Sequence, residues 1–262
     1  MKFNFKNKNV FISGGTHGIG LSCCLEFLKL NANIITFSRD SKKIKLLKAK
    51  IKNFKSKNMI EKGDVLDKVF LKDFSKKIKS KYKRIDILIH NVGGGGGWGK
   101  DSFLKTEDKV WDEVYAKNIN GLVYFTKAFL PSMIKNKWGR VIAISSVCGS
   151  EVKEVDRTWY NAAKASQNSI IKSFSKKKYF TKKNITFNCI SPGPILIEGA
   201  SWHKMQIKEN KKFKQFLKNK IFVNRMGKVE DISSMCIFLS SNYSNYINGS
   251  NIIIDGGFSD RI

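Results

Sequence analysis

The sequence predicts an α/β chain: one open, doubly wound sheet of about seven parallel strands with helices on both faces. Three observations point there. Short β-rich apolar runs alternate with longer segments of helical period along the whole length. Several strand candidates are near-continuous in Val and Ile, the pattern of strands covered on both faces. No repeat, low-complexity tract or Pro/Ser-rich linker breaks the series, so 262 residues, 42% of them hydrophobic, read as one domain.

The first strand is NVFIS (9–13), followed by SGGTHGIG (13–20) and a helical pattern, IGLSCCLEFLKL (19–30). Glycines 14, 18 and 20 have the spacing G-x-x-x-G-x-G. A turn that brings backbone against a pyrophosphate and aims a helix N-terminus at it makes this demand, so the sheet reads as Rossmann-type. Gly14, Thr16, His17, Gly18, Ile19 and Gly20 are the expected contacts.

The second strand, NIITFS (33–38), ends at Ser38-Arg39. An acid here would take the adenosine ribose hydroxyls, whereas an arginine accommodates a 2′-phosphate. Arg39 reads as such a ligand or as a solvated loop cation, and His17 offers a second donor. Asp40 either faces solvent or competes for the ribose. The balance favours NADP(H) over NAD(H). The helix SKKIKLLKAKIKNF (41–54) and the strand NMIEKGDV (58–65) follow.

The fourth strand, RIDILIHN (84–91), runs into HNVGGGGGWGK (90–100), with five consecutive glycines. Ordering glycine is entropically costly, so the run is either a linker or a loop of close backbone approach. A linker would cut a continuous strand–helix series in half. Position decides for a loop at the carboxyl end of a parallel strand, where ligands bind. A helix should begin near Thr106, and Asn118 falls in the helical stretch EVYAKNINGLVYFT.

Strand five, GRVIAISS (139–146), ends at Ser146. WYNAAK (159–164) then sets Tyr160 and Lys164 four apart, on one face of a helix. An ammonium beside a phenol favours the phenolate, and this tunes a tyrosine of pKa about 10 toward general acid/base work at neutral pH. ITFNCIS (185–191), SPGPI (191–195), the helix EDISSMCIFLSS (230–241) and the strand NIIID (251–255) complete the chain, and none of the three prolines falls inside an expected strand.

Taken together, SGGTHGIG, Asp64-Val65, HNVG (90–93), Asn118, Ser146, Tyr160, Lys164, SPGPI and the closing IDGG (254–257) resemble the landmarks of the short-chain dehydrogenase/reductase family, in order, from about Val10 to Gly257. The resemblance implies a tetrad. Tyr160 would exchange the proton, and Ser146 would hydrogen-bond the same substrate oxygen. Lys164 would lower the tyrosine pKa and hold the nicotinamide ribose. Asn118 would anchor a water linking the lysine to solvent. It further implies that Ser38, Arg39, Asp64, Val65, Asn91, Gly93, Pro192, Gly193 and Ile195 contact the cofactor, and that no metal is needed. Ser13, Gly15 and His90 depart from the family's usual Thr, Ala and Asn, and the stretch 91–118 reads about three residues long.

Substrate residues are expected at Gly94, Trp98, Ser146 and Trp202, with Trp98 as a movable cover. A lid should span about 195–222. Trp202 either stacks on a substrate ring or plugs the lid onto the core. The implied activity interconverts a carbonyl and a secondary alcohol of a small molecule, with an anionic 3-oxoacyl thioester-like compound and a sugar or nucleotide sugar both open. A homotetramer or homodimer packed through 107–136 and 158–182 is the family expectation.

The formal net charge is +28, from 49 Lys plus Arg against 21 acids, yet only six of the 49 are arginine. The lysines sit at dispersed positions on helical stretches, the pattern of solvated faces; a functional basic surface is the alternative. A catalytically idle dinucleotide-binding protein that holds nucleic acid or an acidic partner is the competing reading. An intact tetrad and the lack of a nucleic-acid module weigh against it. The five cysteines form no C-x-x-C pair and read as reduced thiols of a cytoplasmic protein. Apolar runs are too short to cross a membrane, and the basic start carries no secretory h-region.

Overall fold

A computed structural model of the protein describes residues 1–95, 99, 102–153, 155 and 157–260. Seven strands form one sheet in the order β3-β2-β1-β4-β5-β6-β7. They are β1 (Asn9–Ser13), β2 (Asn33–Ser38), β3 (Met59–Lys62), β4 (Ile87–His90), β5 (Gly139–Ile144), β6 (Ile185–Pro192) and β7 (Asn251–Ile254). Every pairing is parallel. The ten described α-helices are α1 (Gly18–Lys29), α2 (Ser41–Lys50), α3 (Lys68–Tyr82), α4 (Asp108–Tyr115), α5 (Gly121–Lys135), α6 (Thr158–Ser175), α7 (Lys178–Thr181), α8 (Ser201–Lys208), α9 (Asn210–Lys220) and α10 (Val229–Leu239).

The period of two along each strand divides the interior into two cores. Val10, Ile12, Ile34, Ile87, Ile89 and Ile142 face one way, onto Cys23 and Phe27 of α1, Leu47 of α2 and Cys236 of α10. Phe11, Ile35, Leu88, Val141 and Phe187 face the other way, onto Phe74 of α3, Phe125 and Phe129 of α5 and Ile171 of α6. Strands apolar on both sides are thus the physical cause of helices on both sides. Phe11 carries much of the second core, with ring centroids 4.4 Å from Phe125 and 5.1 Å from Phe129.

Several expected boundaries shift: β4 shortens from 84–91 to Ile87–His90, β5 stops at Ile144 rather than Ser146, and α2 stops at Lys50. β3 stops at Lys62, and Asp64 follows in a turn where its carboxylate accepts from the Leu66 amide at 3.0 Å. β6 extends to Pro192, after which the Gly193 amide bonds Ile254 O at 2.9 Å. The stretch around Asn118 is not one helix: a π-helical turn, Ala116–Asn120, joins α4 to α5. Such turns insert a residue into the helical repeat and cluster at functional sites.

Candidate active site

The sheet order reverses between β1 and β4, and a cleft of about 1020 Å³ opens over their carboxyl ends. Gly14, Thr16, His17, Gly18 and Ile19 line it from the β1 side, and Asn91, Val92, Gly93 and Gly94 from the β4 side. Gly14 and Gly18 have φ of +70° and +53°, conformations that side chains resist. A Cβ at Gly20 would run into the Gly14 carbonyl and the Asn91 side-chain amide. Gly20 therefore lies beneath the loop, outside the cleft lining, and lets the turn close. His17 begins α1 in extended conformation without a side-chain cap. The first amides of α1 have no upstream helical carbonyl and open toward the cleft. A bare glycine backbone over an uncapped helix start fits a dinucleotide pyrophosphate.

At one end of the cleft stand Ser38, Arg39, Asp40, Lys43, Asp64, Val65 and Lys117. Arg39 Nη1 lies 3.4 Å from Asp64 Oδ2. Asp40 is exposed and borders the cleft. Its Oδ1 accepts from the amides of Lys42 and Lys43, capping α2, and those bonds hold its carboxyl below the usual range. Burial and the nearby Arg39 lower the pKa of Lys117, against the pull of Asp64 and Glu113. Lys43 and Lys117 carry no motif; one reads as a surface lysine of α2, and the other is turned into the cleft by the π turn.

At the other end the loop after β5 and the helix α6 bring Ser146, Tyr160 and Lys164 together. Ser146 Oγ accepts from the Cys148 amide at 3.2 Å, so its proton is left to donate. Lys164 Nζ is 5.8 Å from the Tyr160 ring centroid. The ammonium donates to Ile144 O and to Gln167 Oε1, each at 2.9 Å. Burial, with Lys117 nearby, brings the Lys164 pKa down to about 7.

Asn118 is wholly buried and braces the site from below. Its side chain donates to Gly94 O and Val114 O, each at 2.8 Å, and accepts from the Gly94 amide at 3.2 Å. Its main-chain carbonyl accepts from Gln167 Nε2 at 2.9 Å and lies 3.0 Å from His90 Nε2. The water that the resemblance hangs on Asn118 therefore has a rival, because Gln167 already joins Asn118 to Lys164. His90 is buried, and burial followed by the Lys164 charge pushes its pKa down to about 3. The neutral ring gives its Nε2–H to Asn118 O, and its Nδ1 faces Ser13 Oγ at 3.3 Å. Ser13 Oγ in turn accepts the amides of Asn91 and Val92, each at 2.9 Å.

Pro192, Gly193, Ile195 and Trp202 form part of the remaining wall, with Ile197, Ala200 and Ser201. The Trp202 ring stacks on Phe216 of α9, centroids 4.5 Å apart, so it ties α8 to α9 and also faces the cleft. Trp98 lies outside the described residues. Among the described residues, no group of three His, Cys, Asp or Glu comes together to hold a metal ion, and no helix is long and apolar enough to cross a membrane.

The chain is similar to known proteins over nearly its whole length. A family model described as enoyl-(acyl carrier protein) reductase matches residues 14–259. The 3-oxoacyl-acyl-carrier-protein reductase FabG of Buchnera aphidicola is 33% identical over 257 residues, 95% of this chain and 96% of its own length. The dehydrogenase/reductase SDR family member 6 of Aquarana catesbeiana is 31% identical over 255 residues, 96% and 97% of the two chains. Among solved structures, YwfH, an NADPH-dependent reductase involved in bacilysin biosynthesis, superposes with a TM-score of 0.87 at 25% identity, covering 97% of this chain and 99% of its own. The chain belongs to the short-chain dehydrogenase/reductase family, oxidoreductases that use NAD(P)(H) on the alcohol–carbonyl couple of small molecules.

Proposed function

We propose that the protein is an NADP(H)-dependent reductase that interconverts a carbonyl and a secondary alcohol, with Tyr160 as general acid/base. The carrying observation is the polarity of the cleft: Arg39, Lys43 and Lys117 at one end, Ser146, Tyr160 and Lys164 at the other. Three cations suit a 2′-phosphate better than free ribose hydroxyls. The NADPH dependence of YwfH supports the same choice. Gly14, Thr16, His17, Gly18, Ile19, Asn91 and Gly93 would hold the rest of the cofactor, with Pro192, Gly193 and Ile195 against its nicotinamide end. Bound there, the cofactor supplies or takes up a hydride at the substrate carbon.

Tyr160 passes its proton to the substrate oxygen in reduction and recovers it in oxidation. Ser146 donates a hydrogen bond to that oxygen as charge grows on it. The Lys164 ammonium holds the tyrosine near the range where it gives and takes a proton at neutral pH. Gly94 and Trp202 border the substrate, with α8 and α9 as the lid over it. The names of the FabG relatives favour a 3-oxoacyl thioester, an anionic substrate that the basic surface would draw in; a sugar or nucleotide sugar is the second class. A cytoplasmic homotetramer or homodimer packed through α4–α5 and α6–α7 completes the proposal. The test is Tyr160→Phe. Turnover with NADPH should fall by about 10²–10⁴-fold while NADPH affinity is unchanged. Retained turnover would sink the mechanism.

A further inference from the structure

We infer that Gln167 is a positioning residue for the reaction, a fixed side-chain amide that holds Lys164 as an ammonium by joining it to the main chain of the π turn. The inference rests on the catalytic role proposed for Lys164. Gln167 is fully buried on α6, three residues after Lys164 and therefore on the same helix face. Its two ends point in chemically opposite directions. Oε1 accepts from Lys164 Nζ and Nε2 donates to Asn118 O, both at 2.9 Å. Neither assignment can be reversed, because an ammonium only donates and a carbonyl only accepts. The amide is thus locked by both neighbours.

Asn118 O has two acceptor sites, and His90 Nε2–H takes the second. The carbonyl is fixed from the β4 side by His90 and from the α6 side by Gln167. A chain of hydrogen bonds runs from Ser13 through His90, the Asn118 main-chain carbonyl and Gln167 to Lys164, tying the end of β1 to the catalytic lysine.

The consequence is electrostatic. A lysine this deeply buried tends to lose its proton, and a neutral amine gives the Tyr160 phenolate no help. Acceptors aimed at the ammonium oppose that tendency, and Ile144 O and Gln167 Oε1 are two of them. The other titratable groups around Lys164 are Tyr160 on its own helix, Cys148 after β5, Cys189 on β6, Lys117 in the π turn and His90 on β4. Cys189, buried, has its thiol pushed up to about 12, and His90 stays neutral, so neither supplies a charge at neutral pH. Gln167 is a polar side chain that contacts the lysine head directly.

The test compares Gln167→Met, which keeps the length of the side chain but removes the acceptor, with Gln167→Glu, which keeps an oxygen beside Nζ and adds charge. The Lys164 titration is read by NMR in lysine-¹³Cε-labelled protein without cofactor or substrate, and is assigned by its loss in Lys164→Met. Relative to wild type, it should move down by about one unit or more in Gln167→Met and up by about one unit or more in Gln167→Glu. At neutral pH, kcat of Gln167→Met should fall about tenfold, the alkaline shift of its pH profile accounting for the loss, with KM within about twofold. Titrations matching wild type in both variants, or a shifted lysine with unchanged kcat, overturns the inference. If Gln167→Met does not fold, Gln167→Glu decides alone: an upward shift supports the role and an unmoved titration overturns it. Because the lysine is read without turnover, this outcome is independent of Tyr160→Phe, whose failure would instead overturn the catalytic reading.

Discussion

Arg39 and Asp64 meet across the open end of the cleft, Nη1 to Oδ2 at 3.4 Å, with the arginine side chain about two-thirds exposed. A pair this exposed is worth about 0–1 kcal/mol, too little to keep the arginine from a stronger anion. A 2′-phosphate would compete well for it, since charge-assisted bonds to phosphate are shorter and stronger. Arg39→Ala should therefore weaken NADPH binding by about fivefold to tenfold and leave NADH binding nearly unchanged, as read by fluorescence titration. Adding Lys43→Ala should widen the loss. Equal weakening of both cofactors would remove Arg39 from the phosphate site.

Ser146 Oγ is held by the Cys148 amide, so its proton is aimed by the fold. Ser146→Ala should lower kcat by about 10²–10³-fold, the usual cost of one donor to a developing oxyanion, with KM changed far less. A loss confined to KM would show that the serine binds the ground state only.

His90 gives the protein a defined acid limit. Its pKa is near 3 in the fold against an ordinary 6.5, so the unfolded chain binds the extra proton between those values. Stability supported by the neutral ring is complete above about pH 6.5 and drains away as pH falls toward 3. The unfolding free energy from urea titration should drop steadily over that window, by on the order of a few kcal/mol. His90→Asn should be less stable at neutral pH but flatter in acid. An identical acid slope would contradict this assignment.

Arg140, at the start of β5, is a fully buried cation held mainly by carbonyls. It donates to Gly139 O, Asn184 O, Ser241 O and the Asn245 side chain, and lies 4.4 Å from the Trp138 ring centroid. Burial brings its pKa down to about 10. Arg140→Met would strand those acceptors, and a loss of about 2–4 kcal/mol in urea unfolding is expected, with activity at 25 °C retained. A neutral effect would mean that the carbonyls rehydrate.

The parts of this molecule legible in the sequence are those with a periodic or spacing signal. Val10, Ile12 and Phe11 alternate and so announce a two-faced strand. Tyr160 and Lys164 share a helix face by arithmetic alone. Residues that matter through distant neighbours left no such trace. Lys117 looks like any other lysine among many until the π turn rotates it beside Arg39 and Asp64. Asp40 reads as a solvent-facing acid or a ribose competitor, and its capping of α2 through Oδ1 is a further role that the reading did not include. Gln167 carries a helical spacing to Lys164, yet its second partner, Asn118, is 49 residues away in sequence. Sequence position hides a contact that only the closed sheet creates.

The π turn at Ala116–Asn120 has a last consequence, for insertions and deletions rather than substitutions. Consecutive residues there face opposite worlds: Lys117 looks into the cleft and Asn118 into the interior. Each α-helical residue advances the spiral by about 100°. Removing a single residue from this turn would swing α4 by that angle against α5 and carry Val114 out of its packed layer with Trp159. The phasing of two helices, set by one surplus residue, is what allows one short turn to serve a charged mouth and a dry floor at once.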